Sequence, residues 1–251
     1  MGFLKTERDG PVAVLLLDCA PVNALDLEFA REVEAALIEL QQCADVGAIV
    51  LGGNNGCFSA GLNLKVVPFY DPAQQREMVS AANRILASLY GCPLPVVAAV
   101  TGHAVAAGLI LMLTCDYRVG SSATCKLGLT EARVGIPFPA VAMQVLQAEA
   151  APHVARVLAL RAQNIGSDAA LAFGLLDELQ PPERVLATAI ERARDFANMP
   201  AKAYARIKRQ LRAPALAAIE ETVARGSDPM LASWVTAEAG AASAALLRGH
   251  N

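Results

Sequence analysis

The chain of 251 residues is short of charge: Asp, Glu, Lys and Arg make up 18% of it, and the net charge is −3. With no basic excess, nothing draws a polyanion, so nucleic acid and anionic membrane surfaces are poor partners. Histidine is scarce, and the six cysteines at 19, 43, 57, 92, 115 and 125 include no Cys-x-x-Cys pair. Neither a zinc-ligand set nor a disulfide framework is suggested, and we expect no metal and reduced thiols in a cytoplasmic protein. The opening "MGFLKTERDG" has no apolar signal core, and its acidic residues argue against a transit peptide. It fits the loose pattern for N-myristoylation, which is short enough to arise often by chance.

Charge is also absent from Cys92 to Cys115. About 20 apolar residues suffice to cross a bilayer, so length alone permits a membrane span. Pro93 and Pro95 open this stretch, a Gly102-His103 pair interrupts it, and no Lys/Arg cluster flanks it. It reads instead as a buried strand, "PVVAAV" (95–100), followed by a buried helix that begins just after the Thr101-Gly102-His103 turn.

What the chain has in quantity is hydrocarbon, 55% of residues, as in a globular protein with a sizeable core. "PVAVLLLD" (11–18) and "VGAIVLGG" (46–53) are apolar runs closed by turn residues and predict buried strands. Between them, Phe29, Val33, Leu37 and Leu40 recur at helical spacing, which predicts a crossover helix over 26–42. A helix over 78–90 then leads to the strand at 95–100. This alternation indicates an α/β domain, expected over 1–195, with a helical region over 196–251. The one basic cluster, Lys202 to Arg212, reads as the solvated face of an amphipathic helix.

Three short motifs carry possible chemistry. "GCFSAGLNL" (56–64) follows a strand, and Ser59, Ala60 and Gly61 would let backbone approach a ligand closely. "GHAVAAG" (102–108) places Ala106, Ala107 and Gly108 at a helix entrance, where unpaired N–H groups favour negative charge. "KLGLTEARVGIP" (126–137) sets a single carboxylate, Glu131, among apolar neighbours. His103 reads as a hydrogen-bonded turn residue rather than a catalytic one.

The ordered set "PVNALD", "FSAGLNL", "PVVAAVTGHAVAAGLILMLTCDYRV", "GLTEARVGIP" and "ALAFGLLDEL" resembles the crotonase (enoyl-CoA hydratase/isomerase) superfamily over nearly the whole chain. Within it, "LTCDYR" followed by "GLTEARVGI" looks most like the Δ3,Δ2-enoyl-CoA isomerases. The resemblance implies a crotonase-like spiral of ββα repeats and a C-terminal helical trimerisation region, giving a homotrimer or a dimer of trimers. It also implies an acyl-CoA thioester substrate and no separate cofactor, coenzyme A being part of the substrate.

Position by position, the resemblance makes the amides of Leu62 and Ala107 the oxyanion-hole donors. Ala24, Ala60, Gly61, Asn63 and Leu64 fall where backbone holds coenzyme A, although many members carry Asp where Asn63 stands. Lys65 would reach a phosphate of coenzyme A or remain a solvated loop lysine. Hydratases of the superfamily hold water between two glutamates; one matches Glu131 and the other matches Ile110, a hydrocarbon. One carboxylate suffices to move a double bond but not to activate and protonate water. The sequence therefore leads to a 3-enoyl-CoA isomerase. The alternatives are a hydratase in which Glu77 or Asp71 replaces the missing acid, and a noncatalytic acyl-CoA-binding paralogue. The apolar positions Ile207, Leu211, Leu216 and Ile219 are expected to supply a surface for self-association.

Overall fold

The computed structural model describes residues 2–54 and 56–248. Its centre is a six-stranded sheet in the order β1-β2-β3-β5-β7-β9. These strands are β1 (Leu4–Asp9), β2 (Val12–Leu17), β3 (Ala48–Gly53), β5 (Val96–Val100), β7 (Tyr117–Ser121) and β9 (Glu178–Gln180). β1 runs antiparallel to β2, and every other neighbouring pair is parallel. Three short strands, β4 (Cys57–Ser59), β6 (His103–Val105) and β8 (Leu127–Gly128), pair in parallel as a second sheet.

The two sheets interleave along the chain. Each of β3, β5 and β7 is followed by a short strand of the second sheet and then by a helix: α2 (Pro72–Tyr90), α3 (Ala107–Leu113) and α4 (Glu131–Val134). This is the spiral of ββα units that the resemblance implied. The central strands are apolar throughout because both faces are covered. Val12, Val14, Leu16, Val50, Val97 and Val119 lie under the late helix described below, with Val185, Ala189 and Ala193. The alternate residues Ala13, Leu15, Leu17, Ile49, Leu51 and Ala98 join the main core with Phe29, Val33 and Leu37 of α1 (Leu27–Gln42). The period of two along a strand produces this division.

Several elements differ from the sequence reading. The polar β1 was passed over, because its exposed Lys5, Thr6, Glu7 and Arg8 give no apolar alternation. Such charges suit a sheet edge, which they protect from further pairing. α2 starts at Pro72 rather than Met78, since Asp71 caps it and forms a capping box with Gln74. Its first six residues, Pro72 to Glu77, include no large apolar side chain and carry no helical apolar signal. The three-residue β6 intervenes before α3, too short to show any periodicity.

The second half is mostly helical: α5 (Ala140–Glu149), α6 (Pro152–Ala155), α7 (Ser167–Ala172), α8 (Val185–Ala197, the cover of the outer sheet face), α9 (Ala201–Leu211), α10 (Ala213–Arg225) and α11 (Ala237–Arg248). α10 packs on α5 and α2, so Leu216 and Ile219 belong to the chain's own core and not to an outer stripe. Ile207 and Leu211 do face outward, 63% and 81% exposed. On the same helix the basic cluster is divided, which corrects the solvated-face reading. Lys208 and Arg212 point inward to Asp116, at 2.7 Å and 3.1 Å. Lys208 also donates to the Leu94 carbonyl, and Arg212 to those of Tyr90 and Thr114. Beside them Arg118 pairs with Glu149. No helix of the described residues is long and apolar enough to cross a membrane.

Asp116 therefore holds two buried cations and also accepts from the Val96 amide at 2.8 Å. Removing one partner of a buried ion pair leaves uncompensated charge, at a cost of about 3–5 kcal/mol. Asp116→Ala is expected to lose that much stability in urea unfolding, and a loss below about 1 kcal/mol would refute the inward anchoring of α9.

Candidate active site

The loop after β4 is held against the segment that precedes α1. Ala60 N donates to Val22 O at 2.9 Å, Leu25 N to Gly61 O at 2.7 Å, and Asn63 N to Leu25 O at 2.7 Å. The Leu62 amide, between these anchored neighbours, donates to no carbonyl of the described chain. Gly61 has φ +81°, and a Cβ there would stand 2.7 Å from Ala106 Cβ and 2.9 Å from Ala107 N. Only glycine lets this loop press so closely on the entrance to α3.

That entrance is strained. Ala106 has φ 54° and ψ −130°, a region that a residue with a side chain seldom occupies. Its amide is tied to Gly128 O at 2.7 Å, so the β6–β8 pairing holds the turn in place. Ala107 is the first residue of α3, and its N–H likewise has no acceptor in the described chain. Two unpaired amides thus stand on loops that meet at Gly61.

The strand carrying Gly128 leads three residues later to Glu131, the first residue of α4. The Glu131 residue is 8% exposed, and its Oε2 is buried without a hydrogen-bond partner. Burial pushes its pKa up to about 7, against a smaller opposite pull from the N–H groups of Glu131 and Thr130. Ile110 lies one helical turn beyond Ala107 and is fully buried. The structure thus carries Ala107, Ile110 and Glu131 on adjoining elements, and Ala60, Gly61 and Leu62 on the loop that abuts them.

The other expected residues lie on the same loop, except Ala24, which lies on the segment before α1. Ala24, Asn63 and Leu64 are half-buried, and Lys65 is exposed. Asn63 bonds Asp26 through Nδ2 (3.4 Å) and accepts from the Lys65 amide (3.2 Å). The amides of Ala60 and Asn63 are already used within the chain, so they cannot also donate to a ligand. His103 accepts the Lys126 amide through Nδ1 at 2.9 Å, a hydrogen-bonded structural position. Glu77 pairs with Arg84 at 3.2 Å, and Asp71 is engaged by the α2 amides it caps.

Sequence reasoning missed one buried residue of this region, Asn23. It is a polar residue inside "PVNALD", and it has no exposure to solvent. A separate cleft of about 870 Å³ lies by α9, lined by Asp116, Arg118, Lys208 and Arg212 with Met199 and Leu211 at its rim. Its cations are paired with Asp116 and Glu149, whereas Glu131 is an acid with a buried oxygen that no hydrogen bond satisfies among the described residues.

An interleaved ββα spiral of this kind is the crotonase fold. The sequence pattern of the enoyl-CoA hydratase/isomerase family matches residues 7–239. A probable enoyl-CoA hydratase, EchA17 of Mycobacterium tuberculosis, is 34% identical over 202 residues, covering 80% of this chain and 77% of its own. The human mitochondrial enoyl-CoA delta isomerase 1 is 31% identical over 213 residues, 84% of this chain and 70% of its own. Among solved structures, human mitochondrial delta3-delta2-enoyl-CoA isomerase superposes with a TM-score of 0.90 at 25% identity, over 99% of this chain and 98% of that one. An enoyl-CoA hydratase (EchA3) from Mycobacterium marinum gives 0.84 at 30% identity, over 94% and 100%. The chain belongs to the enoyl-CoA hydratase/isomerase family.

The raised pKa of Glu131 has a consequence for stability. Between the unfolded value of 4.5 and the folded value of about 7, the folded state binds more protons than the unfolded state. The stabilisation is complete below the lower pKa and is lost as pH rises through the upper one, amounting to about 3 kcal/mol. Glu131→Gln has no such titration. The Tm of the wild type should therefore fall relative to that of the variant between pH 5 and pH 8, and a constant difference would remove the buried-carboxyl assignment.

Proposed function

We propose that the protein is a Δ3,Δ2-enoyl-CoA isomerase, moving the double bond of a 3-enoyl-CoA to the 2-position. The observation that carries this reading is one buried carboxylate with an unpartnered oxygen and a pKa near 7, with hydrocarbon at residue 110. Glu131 takes a proton from C2; the C–H electron pair forms a C1=C2 bond and the carbonyl π pair moves onto the thioester oxygen, giving a dienolate in which C3=C4 is still in place. The N–H groups of Leu62 and Ala107 hold the resulting oxyanion, each such donor being worth about 2.7–4 kcal/mol. The protonated Glu131 then returns the proton to C4, which leaves the double bond between C2 and C3. A pKa near the working pH suits a group that must both accept and release a proton.

Hydration of a 2-enoyl-CoA is the second reading, favoured by the naming of the Mycobacterium tuberculosis relative. It needs a second acid/base group to work with Glu131, and the two acids considered for that place, Glu77 and Asp71, are held by Arg84 and by the α2 amides. A purely binding role leaves unexplained why the fold keeps a carboxyl group desolvated and unpaired.

The resemblance also leads us to propose a homotrimer, either alone or paired into a hexamer, and α9 supplies a surface for it. Ile207 and Leu211 are exposed there, Met199 stands 46% exposed nearby, and Lys208 and Arg212 are turned inward while Lys202, Arg206 and Arg209 stay at the surface. Large hydrocarbon side chains exposed beside these basic residues suit contact with a second copy. Sedimentation equilibrium of the intact chain should give the trimer or hexamer mass, and a concentration-independent monomer would overturn this.

The enzymatic reading is tested by following products from 3-hexenoyl-CoA and crotonyl-CoA chromatographically. The wild type should convert the first and leave crotonyl-CoA essentially unhydrated. Glu131→Gln should lower isomerase kcat by about 10²- to 10⁴-fold with KM little changed. Ile110→Glu should slow isomerisation and bring detectable hydration, because two nearby carboxyls separate in pKa into an acid and a base. Hydration by the wild type that outpaces isomerisation would reverse the assignment.

A further inference from the structure

We infer that Ser59 and Asn23 are positioning residues for the oxyanion-hole donor at Leu62, acting through a buried relay that fixes the loop. Both are buried with no measurable exposure. Asn23 has φ 51°, a left-handed conformation that Asn tolerates better than most residues. Its Nδ2 donates to the carbonyls of Asn54 (3.0 Å), Cys57 (2.8 Å) and Phe58 (3.2 Å), and its Oδ1 accepts from the Cys19 amide (2.9 Å). One side chain thereby ties the segment before α1 to the end of β3 and to β4.

The relay then passes through Ser59. Its Oγ donates to the Asn23 carbonyl at 2.8 Å and accepts the Gly61 amide at 3.1 Å. Gly61 is the residue immediately before the donor, and its carbonyl is in turn held by the Leu25 amide. The peptide plane containing the Leu62 N–H is the Gly61–Leu62 plane. Its direction is therefore set by these bonds on Gly61 together with the Asn63 N–H···O=C Leu25 bond on the far side.

A hydroxyl that only supports the fold and one that aims an amide differ in what their loss changes. Misplacing a donor by a fraction of an ångström weakens the hold on the charged enolate far more than the hold on the neutral thioester. Ser59→Ala is therefore expected to lower isomerase kcat by about 10- to 100-fold with KM nearly unchanged. The kinetic part of this test rests on the isomerase reading, so the deciding measurement uses acetoacetyl-CoA. The enolate of this thioester absorbs in the near ultraviolet, and its formation on the protein reports the oxyanion hole whether the enzyme isomerises or hydrates.

The wild type should generate the bound enolate, and Ser59→Ala should generate at least tenfold less of it at equal occupancy. Asn23→Gly, which keeps the left-handed backbone but removes the three carbonyl contacts, should act in the same direction. Should Asn23→Gly fail to fold, Ser59→Ala decides alone, with its Tm recorded alongside. An unchanged enolate band in Ser59→Ala, whatever its Tm, overturns the inference, as does a wild type that forms no enolate. A wild type that binds the enolate but isomerises nothing, with the band lost in Ser59→Ala, overturns the isomerase reading and leaves the positioning role standing.

Discussion

Two backbone amides without acceptors, at Leu62 and Ala107, impose the constraint on which this site depends. Both residues are half-buried, and their N–H groups stay free because the surrounding backbone is held by bonds of its own. Here their neighbours are fully engaged: Ala60, Gly61 and Asn63 on one loop, and Ala106 on the other. Sterics complete the arrangement. A Cβ at Gly61 would meet Ala106 and Ala107, and one at Gly108 would stand 2.3 Å from Ser59 O. The interleaved sheets exist, in functional terms, to bring a loop after β4 and a loop after β6 into contact.

The chain solves the problem of a buried carboxylate in two opposite ways. Asp116 lies between Lys208 and Arg212 and accepts a backbone amide, so its charge is compensated from several sides. Glu131 forms no ion pair among the described residues, and burial raises its pKa to about 7. The first arrangement holds helices in place, and the second keeps a proton exchangeable near neutrality. A difference of surroundings, rather than of side-chain type, separates the structural acid from the one suited to chemistry.

Much of this was readable in the sequence, for identifiable reasons. The strands at 12–17, 48–53 and 96–100 are buried on both faces, so their residues had to be apolar in unbroken runs. The motif residues Gly61, Leu62, Ala107 and Glu131 were legible only through their order and spacing, which resemble the crotonase superfamily, since a small-residue loop or a lone acid is commonplace by itself. What escaped was set by tertiary partners. Lys208 and Arg212 looked like any solvated basic pair, since Asp116 is distant in sequence and the spacing of charges does not say which face is inward. Leu216 and Ile219 looked like spare hydrocarbon because α5 and α2, which cover them, cannot be read from α10 itself. Asn23 was hidden for the same reason, as its three acceptors are carbonyls, which every residue possesses.

The attachment of α9, with Lys208 and Arg212 inward and Ile207 and Leu211 outward, gives this helix its own response to heat. Hydration of charged groups becomes less favourable as temperature rises, so the cost of keeping Lys208, Arg212 and Asp116 out of water falls on warming. Hydrophobic stabilisation per unit area does not gain in the same way. The inner attachment of α9 therefore strengthens, relative to the aliphatic core under α10, in the temperature range where the rest of the protein begins to loosen. Thermal opening should begin away from α9, at elements whose hold is purely aliphatic, and the outer face of α9 would keep its shape until late in unfolding.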